Sequence, residues 1–487
     1  FIPQKPYPVY QPKKNNGIRT DIFLTMDDRL VYHALGNIIV ENAYDSLNEL
    51  ADKQIFAYTP IEPSKQSRFM FHPPFALPPR EDIGQYEKFK LAGKQLINEF
   101  VDKFPEPYLI RTDVQTFYPT INHDKLIELL KNNQWLRDER LLNLLEECLA
   151  KWQILSPYQC GIPIGYDTSD LLANLYLISL DKLLVEHEYR SIRYVDDVYI
   201  FTKNYENAKE ALFYFDNHLN KLHLIRNVSK TLLCALSEKD RLLKELDLNN
   251  LLSDIDENDI KQIDSYLQKS EDCEPSPCKQ PFLSNPQRIA YILNRSDLKD
   301  DKLKESAFDI IKYHPRYVFH ATSYLARHYK DDGSVLDLLK EIVVREYEQS
   351  EVRFNCLTAL QRMVDFRRIE NLVSEYLIHS KDWYFSYKLI DLLPNNPRGN
   401  LLKNIFIIIN DENSNEHIKS KIILKFFDIT STAQKIKIIQ SLLNDELHPF
   451  LQRLGIILLE RNRDVISIEK LKFTSLPENV RKVFDFD

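Results

Sequence analysis

Cysteine is sparse and scattered: Cys148, Cys160, Cys234, Cys273, Cys278 and Cys356 are spread over 487 residues. Only Cys273 and Cys278 lie close together, and no second close pair completes a zinc set. The reading is reduced thiols in a cytoplasmic protein. Long apolar runs are also missing. None reaches the roughly 18 residues that a membrane helix needs, so no membrane partner is expected. The opening segment is Pro-rich and polar, unlike a signal peptide, and it has no initiating Met, which fits loss of a short leader. Basic charge is short as well: 64 Lys and Arg against 72 Asp and Glu leave a net charge of −8. That sum looks wrong for a protein that handles nucleic acid. Its distribution matters more, because residues 238–274 alone hold 12 acidic and 5 basic side chains, a net −7. The remainder is then near −1, and a local basic channel is permitted.

What is present divides into three stretches. Residues 1–236 mix strand-like runs, such as Leu109–Ile110 and Val198–Phe201, with helical ones such as Asp124–Lys131. Residues 237–284 are acidic and then turn-rich, ending near Cys273, Cys278 and Pro281, which suits a connecting segment between domains. From 285 to 487 only Gly333, Gly399 and Gly455 occur, and helical periodicity dominates. Val352, Cys356, Ala359, Leu360 and Met363 share one face, as do Ile369, Leu372, Val373, Tyr376 and Leu377. Helix starts are predicted near Ser334, Glu351, Arg367, Asp382, Arg398, Glu416 and Thr432, with Ser334 as an N-cap and Asp337 as its acidic third position. Such spacing predicts stacked helix pairs, an α-solenoid. An irregular helical bundle is the plain alternative.

The chemistry concentrates in the first stretch. Arg193-Tyr194-Val195-Asp196-Asp197-Val198-Tyr199-Ile200-Phe201 has apolar flanks around an acidic pair, as expected for a hairpin with the aspartates at its turn. Two adjacent carboxylates repel, so a buried pair calls for a cation, and hard oxygen ligands suit Mg²⁺. Alone, this string is a weak signal. The run Leu109 to Thr112 ends on Asp113, and Tyr118 follows five residues later. Two-metal phosphoryl transfer needs carboxylates from two strands brought together, and Asp113, Asp196 and Asp197 supply that set. Between them, Gly161-Ile162-Pro163-Ile164-Gly165 is a glycine-flanked turn feeding a helix, where a backbone can approach a nucleobase closely. The plain alternative is a turn before a helix capped by Thr168 or Ser169.

These three segments resemble motifs A, B and C of reverse transcriptases, in family order. Pro12-Lys13-Lys14-Asn15-Asn16-Gly17-Ile18-Arg19, followed by Asp28-Arg29-Leu30, resembles the opening fingers motif of the retron and group II intron branch. Leu224 to Thr231 resembles motif D. The resemblance covers roughly residues 8–236. It implies that Asp113, Asp196 and Asp197 bind two Mg²⁺ ions, with Mn²⁺ as a substitute, and that the Val114 carbonyl is a further ligand. It implies that Lys13, Lys14 and Arg19 hold the triphosphate, that Tyr118 is the sugar gate, and that Lys230 is a general acid for pyrophosphate. Pro163, Ile164 and Gly165 would line the nucleotide. Apart from the resemblance, Lys13 to Gly17 reads as a solvated hairpin turn, and Tyr118 as a core aromatic.

One departure is informative. Ile164 stands where template-copying members have Gln. With the helical C-terminal half, this resembles the bacterial abortive-infection reverse transcriptases of the AbiK, AbiA and Abi-P2 kind. The expected fold class is therefore an α+β right-hand palm and fingers (1–236), a connecting segment (237–284) and an all-α HEAT-like repeat domain (285–487). That resemblance implies anti-phage DNA synthesis without a conventional template, protein-primed from a tyrosine that the sequence does not single out. Expected partners are deoxynucleotides, a DNA product, a noncoding RNA, a phage component as trigger and further copies of the chain. The rivals are an RNA-templated reverse transcriptase and a non-catalytic scaffold with a relic palm.

Overall fold

Apolar residues on both faces of neighbouring strands require a sheet covered on both sides, and the sheet of this protein is built that way. In the computed structural model the described residues are 1–13, 17–61, 71, 84–153, 159–238, 286–297, 299–411, 414–445, 448–462 and 466. Lys14, Cys273, Cys278 and most of the 237–284 segment lie outside them. The chain divides into two compact units, Phe1–Pro8 with Asp21–Asp254, and Val9–Thr20 with Ile255–Asp487.

The first unit contains a four-stranded antiparallel sheet. Its strands are β3 (Tyr108–Thr112), β4 (Arg190–Tyr194), β5 (Asp197–Thr202) and β6 (Leu232–Ala235), in the order β4-β5-β3-β6. Two further strands, β1 (Tyr7–Pro12) and β2 (Ile18–Phe23), form a separate hairpin. Around the sheet lie α1 (Met26–Asn48), α2 (Gln85–Lys103), α3 (Phe117–Thr120), α4 (His123–Asn132), α5 (Glu139–Trp152), α6 (Asp167–Glu186) and α7 (Tyr205–Lys221). Side chains alternate across a strand. Ile110, Val198 and Ile200 therefore join the core made with α1, α4, α5, α6 and α7. Leu109, Ile192, Tyr199 and Phe201 point the other way, onto Phe89, Leu96, Ile97 and Phe100 of α2. Helix α6 is buried nearly all round, from Leu171 and Leu172 to Leu180 and Leu184, which makes it the central helix of this unit. It meets α1 closely, since a Cβ on Gly36 would lie 2.3 Å from Thr168 Oγ1.

Among its described residues the second unit is helical apart from the hairpin segment Val9–Thr20. Its helices are α8 (Pro286–Arg295), α9 (Asp301–Tyr313), α10 (Val318–His328), α11 (Gly333–Val344), α12 (Ser350–Met363) and α13 (Glu370–His379). They continue with α14 (Trp383–Leu392), α15 (Gly399–Asn410), α16 (Glu416–Phe426), α17 (Thr432–Leu443) and α18 (Pro449–Arg461). The even-numbered helices α8 to α18 contact one another in succession, and α13, α15 and α17 do the same in a second row. A single apolar core runs through these helices. Short helices of 10 to 14 residues cannot bury an apolar stripe alone, so each depends on its neighbours. The expected N-cap Ser334 is corrected by two residues: Asp332 caps α11, accepting from Val335 N at 3.3 Å, and Ser334 donates to that carboxylate at 2.6 Å. A carboxylate accepts at a helix N-terminus more strongly than a hydroxyl. Among the described residues no helix is long and apolar enough to cross a membrane.

Candidate active site

The paired strands bring the three aspartates together. Strand β3 pairs with β5 up to Thr112 opposite Val198, and Asp113 and Asp197 are the residues that adjoin the end of that ladder. Strands β4 and β5 close on Tyr194 opposite Asp197, leaving Val195 and Asp196 as a two-residue turn. Val195 has φ +58°, a left-handed conformation that a β-branched residue adopts only at a cost of about 1–3 kcal/mol. Its carbonyl is held by Arg193 Nη1 at 2.8 Å. Arg193 is 1% exposed and is itself locked by Asp181 of α6, with Nη2 donating to Oδ2 at 2.7 Å, and by Asn174 Oδ1 at 2.9 Å. The turn that carries the acidic pair is thus fixed from the central helix.

The segment after α7 completes the other side. Asn227 N donates to Asp113 O at 2.9 Å and Gln115 N to Ile225 O at 2.8 Å. These two bonds flank Val114, whose own carbonyl takes no part in that ladder. Thr112 and Thr231 hydroxyls lie 2.8 Å apart. Lys230 Nζ is 2.5 Å from Asp113 Oδ2, and the carboxylate holds the ammonium pKa above its usual value.

The electrostatics are those of crowded acids. Burial, and then the neighbouring Asp197, push Asp196 up to about 6. Asp197 is raised by burial and by Asp113, with Lys230, Lys90 and Arg111 opposing. Among the described residues no group of three carboxylate, imidazole or thiolate side chains is already gathered tightly enough to hold an ion. The donor set nevertheless fits a divalent cation. Asp113 Oδ1 is buried with no hydrogen-bond partner, and the repulsion that raises Asp196 and Asp197 is what a bound cation relieves. Asp113, Asp196 and Asp197 are the residues that would hold it.

The glycine-flanked turn is pinned against this site. Ile162 N donates to Tyr118 O at 3.0 Å and Gly161 N to Ile121 O at 2.8 Å, while His123 Nε2 reaches Gly161 O at 2.7 Å. Gly161 has φ +101°, and a Cβ there would lie 3.1 Å from Pro119 O, so this position requires glycine. Pro163 is buried, Ile164 half-buried and Gly165 exposed. Helix α6 then begins at Asp167 with Tyr166 at its N-cap, so Thr168 and Ser169 lie inside the helix. Thr168 donates to Tyr32 O, and the Ser169 hydroxyl lies 2.7 Å from the Tyr32 hydroxyl.

Tyr118 is half-buried, and its hydroxyl donates to Asp170 Oδ1 at 2.6 Å. Lys13 and Arg19 stand on the β1–β2 hairpin, where Lys13 N donates to Gly17 O at 2.7 Å. That hairpin segment groups with the helical unit, apart from the unit of the three aspartates. The residues not anticipated from sequence are Asp170, Asn174, Asp181, Arg193 and Tyr58. A signal for three of them was present: Asp170, Asn174 and Asp181 recur at four and eleven positions along an otherwise apolar helix, which puts them on one face.

Residues 11–245 match the family model described as reverse transcriptase (RNA-dependent DNA polymerase). That stretch is similar to a reverse transcriptase domain. No curated protein sequence matches it. Among solved structures it is similar to telomerases. For apo telomerase from Candida tropicalis truncated from its C-terminal domain, the identity is 13% and the TM-score 0.33, over 48% of this chain and 50% of that one. For apo telomerase from the same organism, the identity is 11% and the TM-score 0.35, over 80% and 69%. For Candida albicans telomerase in complex with a TWJ fragment of telomeric RNA, they are 9% and 0.34, over 93% and 64%. The chain thus spans about half the length of the first of these structures.

Proposed function

We propose that the protein is a nucleotidyltransferase that joins deoxynucleotides, with Asp113, Asp196 and Asp197 as its metal-binding carboxylates. The observation that carries this reading is the end of the β3–β5 ladder, where Asp113 follows Thr112 and Asp197 precedes Val198, beside a turn that holds Asp196. Bound Mg²⁺ would supply the charge that activates a hydroxyl nucleophile and neutralises a triphosphate. The chain's own groups then position and select. Arg193 holds the acidic turn. The Gly161 backbone presents the floor for the incoming nucleotide. Tyr118 meets its sugar. Lys230, which bonds the Asp113 carboxylate, would give a proton to the leaving pyrophosphate. Assignment of Lys13, Lys14 and Arg19 to the triphosphate rests on the resemblance of their motif alone.

The finer reading is DNA synthesis for defence against phage, without a conventional template and primed from a protein tyrosine. Ile164 in place of a templating Gln and the two-row helical array, which we read as HEAT-like, support it. A phage component as trigger, a cytoplasmic setting and self-assembly of the chain belong to the same reading. A second reading, copying of a partner noncoding RNA, is favoured by the RNA-dependent family that residues 11–245 match. Nuclease-treated protein incubated with Mg²⁺ and single deoxynucleotides separates the two. Extension, or a DNA–protein adduct that survives denaturation, supports the first. Strict dependence on added RNA and all four nucleotides supports the second. No synthesis under either condition, with an Asp196→Asn, Asp197→Asn variant keeping full protection of cells, would show the chain to be a scaffold.

A further inference from the structure

Asp170 stands in the first turn of α6, and its carboxylate accepts the Tyr118 hydroxyl at 2.6 Å. Tyr58 lies close enough to both groups to interact with them electrostatically. Each member of this trio is anchored separately. Tyr58 has φ +50°, and the Ala57 and Tyr58 carbonyls accept from Asn174 Nδ2 at 2.8 and 3.3 Å. Asn174 lies one turn after Asp170 on α6, and it also accepts from Arg193, which holds the catalytic turn. The Tyr118 backbone is tied by Ile162 N at 3.0 Å. The remaining freedom of Tyr118 is the swing of its ring, and its hydroxyl is what stops that swing. A purely steric aromatic needs no hydroxyl. Nor does an apolar core accept a carboxylate readily, because burying one is costly unless it is bonded.

We propose that Asp170 is a positioning residue that fixes the Tyr118 ring and thereby sets the discrimination between deoxyribonucleotides and ribonucleotides. The inference rests on Tyr118 being the aromatic that meets the sugar. With its hydroxyl tied, the ring cannot turn aside for a 2′-hydroxyl. Untied, it yields. Asp170 touches no reacting atom, so its removal changes selectivity more than the rate with the preferred substrate.

The test compares kcat/KM for a deoxynucleotide and the matching ribonucleotide in five forms of the full chain: wild type, Asp170→Ala, Asp170→Asn, Tyr118→Phe and Tyr118→Ala. Loss of this hydrogen bond is expected to lower the deoxy/ribo ratio roughly tenfold in Asp170→Ala and in Tyr118→Phe alike. The double variant Asp170→Ala, Tyr118→Phe should fall no further, because both changes remove the same bond. Asp170→Asn keeps an accepting oxygen and should retain most of the selectivity. If Tyr118→Ala collapses the ratio while Asp170→Ala and Tyr118→Phe leave it unchanged, the role of Asp170 is refuted and the gate survives. If Tyr118→Ala leaves the ratio unchanged, the gate reading fails and the inference falls with it. Should Asp170→Ala not fold, Tyr118→Phe, which loses only the hydroxyl, decides alone.

Discussion

Replacing Arg193 by Met should damage the protein in two separable ways. The side chain is 1% exposed, and its guanidinium meets Asp181 through Nε at 2.9 Å and Nη2 at 2.7 Å. Removing one partner strands a carboxylate that is itself 2% exposed, at a cost of about 3–5 kcal/mol. For a unit of this size each kcal/mol moves Tm by about 2–4 °C, so a drop of about 6–20 °C is expected by calorimetry. Asp181→Leu combined with Arg193→Met removes both charges, and replacement of a buried pair by apolar groups is often neutral or stabilising. The double variant should therefore recover most of the lost Tm. It should not recover nucleotidyl transfer. The Val195 carbonyl has lost its donor at 2.8 Å, and the turn holding Asp196 sits in a left-handed conformation that nothing else in α6 fixes. A misplacement on the order of 1 Å at such a site costs about a hundredfold in rate. A single variant melting within about 2 °C of wild type would refute the buried-pair argument. A double variant with full activity would show that Arg193 ties the fold and not the turn.

Other expectations follow from the same geometry. Burial raises Asp170 to about 7, so its ionisation opposes folding. The stability it contributes is intact below the unfolded carboxyl pKa and is lost as pH rises from about 4 to about 7, by up to about 4 kcal/mol. Chemical unfolding of wild type and Asp170→Asn across that range should show the difference between them shrinking or reversing with rising pH, and a constant difference would contradict it. Gly36→Ala should destabilise by about 1–3 kcal/mol despite the better helix propensity of Ala, because its Cβ meets Thr168 Oγ1. Adding Thr168→Ala should return part of that loss in the same unfolding assay. Asp113→Asn should abolish nucleotide transfer and weaken Mn²⁺ binding measured by electron paramagnetic resonance, while chelation should abolish wild-type transfer and Mg²⁺ restore it. Lys230→Ala should lower kcat by about 10²-fold or more with little change in KM if the lysine supplies the leaving-group proton.

The sequence alone marked the acidic pair, the strand ending at Asp113 and the glycine-flanked turn, because each depends on local residue types at short spacing. The helical half was also legible: starts expected near Ser334, Glu351, Asp382, Arg398, Glu416 and Thr432 lie within a residue of the observed ones, while the one expected near Arg367 falls on a short 3-10 turn and α13 starts three residues later, at Glu370. Amphipathic periodicity and capping are local properties, readable without knowing what lies opposite. The two-residue error at the start of α11 came from choosing between two nearby capping side chains, Asp332 and Ser334, which only the backbone geometry resolves. Tertiary structure alone decided the partners. That Arg193 reaches Asp181, Asn174 and the Val195 carbonyl depends on α6 lying against β4, across 12 and 19 residues of sequence. That Tyr118 meets Asp170 depends on a contact across 52 residues. Grouping of the Lys13–Arg19 hairpin with the helical unit joins residues far apart in sequence. The acidic site at Asp113, Asp196 and Asp197 is therefore written in short motifs, and what holds it in place is written in long-range packing.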